Sequence, residues 1–94
     1  MSNIYQIYLI SDSTGETLDR IFTAIKAQFK NIDYKIHNYS FTRTQNQILK
    51  ILNEAEKSSN SIILYSIVDN NLAKQLAETC NSKKIPCFGV LGDL

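Results

Sequence analysis

Residues 7–17 read IYLISDSTGET, an apolar run that opens into hydroxyls, acidic side chains and a single glycine. With the residues just before it the run extends over 4–10, IYQIYLI, where only Gln6 interrupts a stretch rich in β-formers. A short, nearly continuous apolar run of this kind fits a strand covered on both faces. From Glu16 the period changes: Leu18, Ile21, Phe22, Ile25 and Phe29 recur at three- and four-residue steps, which lays one apolar stripe along a helix ending near Lys30 or Asn31. The stretch therefore predicts a buried strand handing over to a helix N-terminus.

The same alternation of elements continues outward. Residues 33–41, DYKIHNYSF, alternate less apolar and more polar positions and predict a second strand at a sheet edge. Thr44 and Gln47 form a capping box for a second helix whose stripe is Ile48, Leu49, Ile51, Leu52 and Ala55. Residues 61–68, SIILYSIV, predict a central third strand, and Asp69, Asn70 or Asn71 caps a third helix that buries Leu72, Ala73, Leu76 and Ala77. Residues 85–91 predict a fourth strand, with Pro86 at its start where a missing N–H is tolerable.

The order β-α-β-α-β-α-β predicts a doubly wound, four-stranded parallel α/β sheet of Rossmann or flavodoxin-like type, with three crossover helices and spatial order 2-1-3-4. Its switch point lies between strands one and three, whose ends are Ser11-Asp12 and Val68-Asp69. The first helix covers one face and the other two the opposite face, so the sheet is incomplete at its C-terminal end and leaves apolar surface open. Self-association or a further C-terminal domain covering the sheet is the expected remedy.

Composition places limits on function. The chain has 94 residues, 44% hydrophobic and 20% charged, with a formal net charge of +1, which is the profile of one small globular domain. The longest basic block is Lys83-Lys84, so no electrostatic footprint for nucleic acid exists. A single histidine, His37, and two cysteines, Cys80 and Cys87, make no metal-ligand cluster, and the cysteines read as small buried hydrophobes in a reducing compartment. No apolar stretch approaches the length of about 20 residues that spans a bilayer, and the N-terminus lacks the pattern of a secretory signal. The chain is expected to be cytoplasmic, with no membrane partner.

The candidate binding residues gather in the first loop. Ser11, Ser13, Thr14 and Thr17 supply hydroxyls, Gly15 permits close approach to the backbone, and the helix start supplies N–H groups for an anion. Ser13 and Glu16 also match a capping box, so anion binding and simple capping explain the pattern equally well. Neither GxGxxG nor GxxxxGK[ST] occurs. Asp12 repels phosphate and is expected to bind backbone N–H groups, with magnesium coordination or proton acceptance as alternatives. Arg43, just after the second strand, can reach toward the first loop and bind a phosphate or carboxylate in bidentate fashion. Asp69 and Asn70 stand across the crevice, where capping already accounts for them.

The segments IYLISDSTGET, Phe41-Thr42-Arg43-Thr44 and the ending IPCFGVLG resemble the N-terminal part of the pyruvate, phosphate dikinase regulatory proteins, which include the phosphoenolpyruvate synthase regulators. The resemblance runs across essentially the whole chain, and SDSTGET after the first strand is its most specific part. It implies a bifunctional serine/threonine kinase and phosphorylase. ADP serves to phosphorylate a threonine of the dikinase or synthase, and inorganic phosphate serves to remove the phosphoryl group as pyrophosphate. It further implies that residues 1–94 form an N-terminal domain and that a kinase-like domain with the phosphate loop lies outside them. These residues alone are then not expected to phosphorylate the target. A noncatalytic module binding phosphate, another anion or a protein is the alternative. A receiver-like domain fits less well, because Asp12 stands without an acidic cluster or the lysine after the last strand.

Overall fold

The computed structural model describes residues 4–28 and 31–90. Strand β1 spans Tyr5–Ser11, helix α1 Glu16–Lys26, β2 Tyr34–Tyr39, α2 Gln45–Ala55, β3 Ser61–Ser66, α3 Asn70–Ser82 and β4 Cys87–Gly89. All three strand pairings are parallel, and the sheet order is β2-β1-β3-β4. The expected doubly wound topology is thus the observed one, with β1 and β3 central and β2 and β4 at the edges.

Burial of β1 on both faces explains why its sequence is almost continuously apolar. Ile7 and Leu9 pack with Leu18 and Phe22 of α1 and Leu64 of β3. Tyr8 and Ile10 face the other way, into a larger core with Ile48, Leu52, Ile63, Ile67, Leu76 and Cys80. Helix α1 therefore covers one face while α2 and α3 cover the other. On the α1 face Phe88, the register partner of Leu64, is 57% exposed, as expected where one helix serves the whole sheet.

Several local expectations are corrected. Leu49 belongs to no buried stripe: it is 39% exposed, because α2 buries only Ile48, Ile51, Leu52 and Ala55 against the sheet. Strand β2 stops at Tyr39 rather than Phe41, since Phe41 takes a left-handed φ of 53° and turns the chain back toward β1. Strand β3 stops at Ser66, and β4 is confined to Cys87–Gly89. Helix α1 ends at Lys26, earlier than its apolar stripe suggested; Phe29 and Lys30 lie outside the described residues.

Edge strand β2 is held by more than backbone bonds. The His37 ring stacks on Tyr8 with centroids 4.5 Å apart, Tyr39 stacks on the same tyrosine at 6.1 Å, and His37 Nε2 lies 2.6 Å from Gln6 Oε1. Burial lowers the His37 pKa, with Lys35 acting in the same direction and Glu54 against it. His37 is thereby a packing element of the sheet, remote from the first loop.

Candidate functional site

Parallel strands bring their C-terminal ends to one side of the sheet, and Ser11, Asp12, Ser13 and Arg43 are joined there by a specific set of bonds, which does not include Thr14, Gly15 or Thr17. Ser11, the last residue of β1, is 3% exposed, and its Oγ accepts the Ser13 backbone N–H at 3.1 Å while lying 3.2 Å from Ser13 Oγ. This hydroxyl shapes the turn. The β2–α2 segment then lies directly against the loop: Thr42 N–H donates to the Ser11 carbonyl at 2.8 Å and Phe41 N–H to the Ser13 carbonyl at 2.9 Å. Arg43 reaches across in the expected direction, and its Nε donates to the Asp12 carbonyl at 2.9 Å. Its guanidinium carbon sits over the Phe41 ring, 5.2 Å from the centroid, within reach of cation–π attraction.

Asp12 binds backbone N–H groups, as one sequence reading held, but not in a local turn. Its Oδ2 accepts the Val68 N–H at 2.8 Å, and its own N–H donates to the Ser66 carbonyl at 3.3 Å. The carboxylate thus ties the end of β1 to the β3–α3 loop across the switch point. Asp69 caps α3 through Oδ1, which accepts the Leu72 N–H at 3.0 Å. Asp12, Arg43, Val68, Asp69 and Leu72 together line an open cleft of about 520 Å³. Asn70 does not reach it and begins α3.

The capping box expected from Ser13 and Glu16 does not form. Gly15 is the N-cap of α1, at φ 87° and ψ 4°, and no side chain makes a cap bond there. Adopting this left-handed conformation is easiest for glycine, so Gly15 shifts the helix start to Glu16 and puts Ser13 two residues upstream of the cap. Thr14 Oγ1 accepts only a long 3.4 Å bond from the Glu16 N–H. By contrast, Thr44 and Gln47 form both bonds of the box that opens α2. Apart from that long bond at Glu16, helix α1 therefore presents its first N–H groups uncapped by side chains, near the exposed hydroxyls of Ser13, Thr14 and Thr17. Glu16 and Asp19 in its first turn answer part of the helix dipole.

Two features near Arg43 were not visible in the sequence. Phe41, with its left-handed backbone, is 51% exposed beside Arg43, and Val68, which lines the cleft, is 70% exposed. No glycine or asparagine marks position 41 as left-handed, and Val68 reads as the last residue of a buried strand. Elsewhere, an apolar hollow of about 230 Å³ is lined by Tyr5, Ile7, Phe22, Ile32, Tyr34 and Ile62, away from the polar loops. Among the described residues no three or more His, Cys, Asp or Glu side chains gather to hold a metal ion, and no helix is long and apolar enough to cross a membrane. Cys80 is a buried free thiol whose pKa is pushed up to about 12, chiefly by burial and also by neighbouring Cys87.

Known proteins carry a similar sequence over nearly the whole of this chain. The chain is 69% identical over all 94 residues to a protein of Pelagibacter ubique (strain HTCC1062) named as a pyruvate, phosphate dikinase regulatory protein, of which it covers 34%. It is 40% identical over 89 residues to a protein of the same name from Geotalea uraniireducens (strain Rf4), covering 95% of this chain and 33% of that protein. A third, from Chelativorans sp. (strain BNC1), is 39% identical over 89 residues. The chain thus spans about a third of the length of these relatives. The family described as Kinase/pyrophosphorylase matches residues 7–94, from the middle of β1 through the cleft-forming loops and beyond β4, and the chain belongs to that family.

Proposed function

We propose that the chain is the N-terminal part of a bifunctional serine/threonine kinase and phosphorylase that regulates pyruvate, phosphate dikinase or phosphoenolpyruvate synthase. In one direction a threonine hydroxyl of the target takes the β-phosphoryl group of ADP, its proton is released, and AMP leaves. In the other, inorganic phosphate takes the phosphoryl group from phosphothreonine, giving pyrophosphate and the free hydroxyl. Both directions place a phosphoryl group between oxygen nucleophiles, where positioning and charge stabilisation dominate catalysis.

In this reading the present residues form one wall of that site. The carrying observation is the 2.9 Å bond from Arg43 Nε to the Asp12 carbonyl, which joins the two polar landmarks of the chain at the C-terminal edge of the sheet. Arg43 keeps its two terminal nitrogens for phosphoryl oxygens. Ser13, Thr14 and Thr17 donate hydroxyl bonds, and Gly15 lets the anion approach the α1 N–H groups. Ser11 and Asp12 hold the loop rather than the ligand. The nucleotide-binding wall belongs to the part of the longer relatives outside this chain.

Calorimetric titration of the 94-residue chain with inorganic phosphate, pyrophosphate and ADP tests the assignment. Phosphate and pyrophosphate are expected to bind, ADP no tighter than pyrophosphate, and Arg43→Gln to weaken phosphate by about tenfold, the usual order for one charge-assisted contact. Absence of phosphate binding, or binding undiminished in Arg43→Gln and Ser13→Ala proteins that remain folded, would overturn it.

A further inference from the structure

We infer that Cys80 and Cys87 form a dithiol switch: in the folded chain a small disulfide such as oxidised glutathione converts them to an intrachain disulfide that locks the end of α3 to edge strand β4. The pair lies at the opposite end of α3 from the cleft that Asp69 and Leu72 line. A tight chain reversal sets it up. Lys83 N–H donates to the Thr79 carbonyl at 3.0 Å, Lys84 takes a left-handed φ of 59°, and Ile85 N–H donates back to the Cys80 carbonyl at 2.8 Å. The turn carries the chain from the last turn of α3 straight toward β4, and Ile85 and Cys87 both pack on the core that holds Cys80. Both cysteines are free thiols, close enough to each other for a side-chain hydrogen bond.

Exposure divides the roles between them. Cys80 is fully buried, and burial, with Cys87 beside it, pushes its pKa up to about 12, so neither access nor ionisation suits it as the first nucleophile. Cys87 is half-buried at the start of β4 and meets solvent. Its thiolate attacks one sulfur of oxidised glutathione, the S–S bond of that reagent breaks, and one glutathione leaves as thiolate. Cys80 gives its proton to that thiolate and attacks the Cys87 sulfur, which expels the second glutathione. The two cysteines are oxidised by two electrons, the glutathione disulfide is reduced to two thiols, and the two cysteine protons end on those thiols. Reduction by attack on the accessible Cys87 sulfur must expel the Cys80 thiolate, a poor leaving group at so high a pKa, so the lock persists once formed. It secures the shortest strand of the sheet, Cys87–Gly89, at an edge where β3 is its only partner among the described residues.

The test incubates the 94-residue chain with oxidised glutathione in the absence of denaturant, quenches it in acid at intervals, and follows intact mass and thermal unfolding. The main product is expected to lack two hydrogens, to carry no glutathionyl group, and to unfold about 10 °C above the reduced chain, the scale for closing a short loop in a small domain. Dithiothreitol is expected to reverse both changes. Cys80→Ala should retain a glutathionyl group on Cys87, and Cys87→Ser should stay unmodified because its remaining thiol is buried. A wild-type product that keeps a glutathionyl group, disulfide-linked pairs of chains, or a bridge that forms only once urea unfolds the chain overturns the inference. So does a bridged product that unfolds no higher than the reduced chain, or glutathionylation of folded Cys87→Ser. Should Cys80→Ala fail to fold, the wild-type mass and midpoint still decide.

Discussion

Ser13-x-x-Glu16 and Thr44-x-x-Gln47 both precede helices in this chain, and only the second is a cap, which makes an internal comparison possible. In Thr44→Ala the acceptor for the Gln47 N–H, 3.1 Å away, is lost, while Gln47 Oε1 still accepts the Thr44 and Arg43 N–H groups at 3.0 and 2.7 Å. Replacing such an N-cap by alanine costs about 1 kcal/mol. For a domain of this size that corresponds to a fall in midpoint of roughly 4–8 °C. In Ser13→Ala the lost group touches only Ser11 Oγ at 3.2 Å, while the Ser13 N–H and carbonyl keep their partners. The expected cost is under about 0.5 kcal/mol, as for an ordinary surface substitution. Ser11→Ala should resemble Thr44→Ala instead, at about 1 kcal/mol, because it removes the acceptor of the Ser13 N–H at a residue only 3% exposed. Thermal and urea unfolding of the three variants, read by far-ultraviolet circular dichroism, decides the matter. A Ser13→Ala midpoint depressed as far as that of Thr44→Ala would show that Ser13 caps α1 and would remove the argument that its hydroxyl is free for an anion.

Asp12→Ala is expected to cost about 1–2 kcal/mol through loss of the Val68 N–H acceptor, and Asp12→Asn less than half of that because an amide oxygen can still accept; equal urea midpoints for the two would refute the assigned bond. Gly15→Ala meets no atom within 4 Å, so its cost of about 1 kcal/mol comes from the left-handed backbone alone, and Gly15→Asn should be milder; a neutral alanine variant would contradict the φ of 87°. Cys80 has its pKa raised in the fold, so its contribution to stability is complete below the unfolded thiol value of about 9 and declines as pH rises toward about 12. Tyr8 and Tyr65, also raised by burial, act in the same direction, so Cys80→Ala should flatten the alkaline loss without abolishing it in urea melts from pH 8 to 11; an unchanged slope would remove Cys80 from the account.

Element order and sheet topology were legible because they rest on long-range periodicities. The β1 run had to be covered on both faces, and the three-and-four spacing of Leu18 and Phe22, or of Ile48, Ile51, Leu52 and Ala55, left one orientation for each helix. Arg43 was placed beside the first loop because a parallel sheet puts both segments at the same end. Local backbone geometry was less legible. The Ser13–Glu16 spacing is identical to that of a working cap, and only the left-handed turn at Gly15 moves the helix start by enough to disable it. Phe41 was hidden for the opposite reason. A bulky residue in the left-handed region has no composition signal and is held by bonds from distant residues, its N–H to the Ser13 carbonyl and its carbonyl from Gln47 Nε2 at 3.5 Å.

Asp12 has its carbonyl on one neighbouring loop and its carboxylate on another, engaging Arg43 and Val68 respectively. A single residue is therefore the mechanical link between the openings of α2 and α3. A ligand that draws the Arg43 guanidinium away from the carbonyl relaxes one side of that link and tilts the hydrogen bond on the other. The Val68 amide proton, whose nitrogen lies 2.8 Å from Asp12 Oδ2, is then expected to shift when a ligand occupies Arg43.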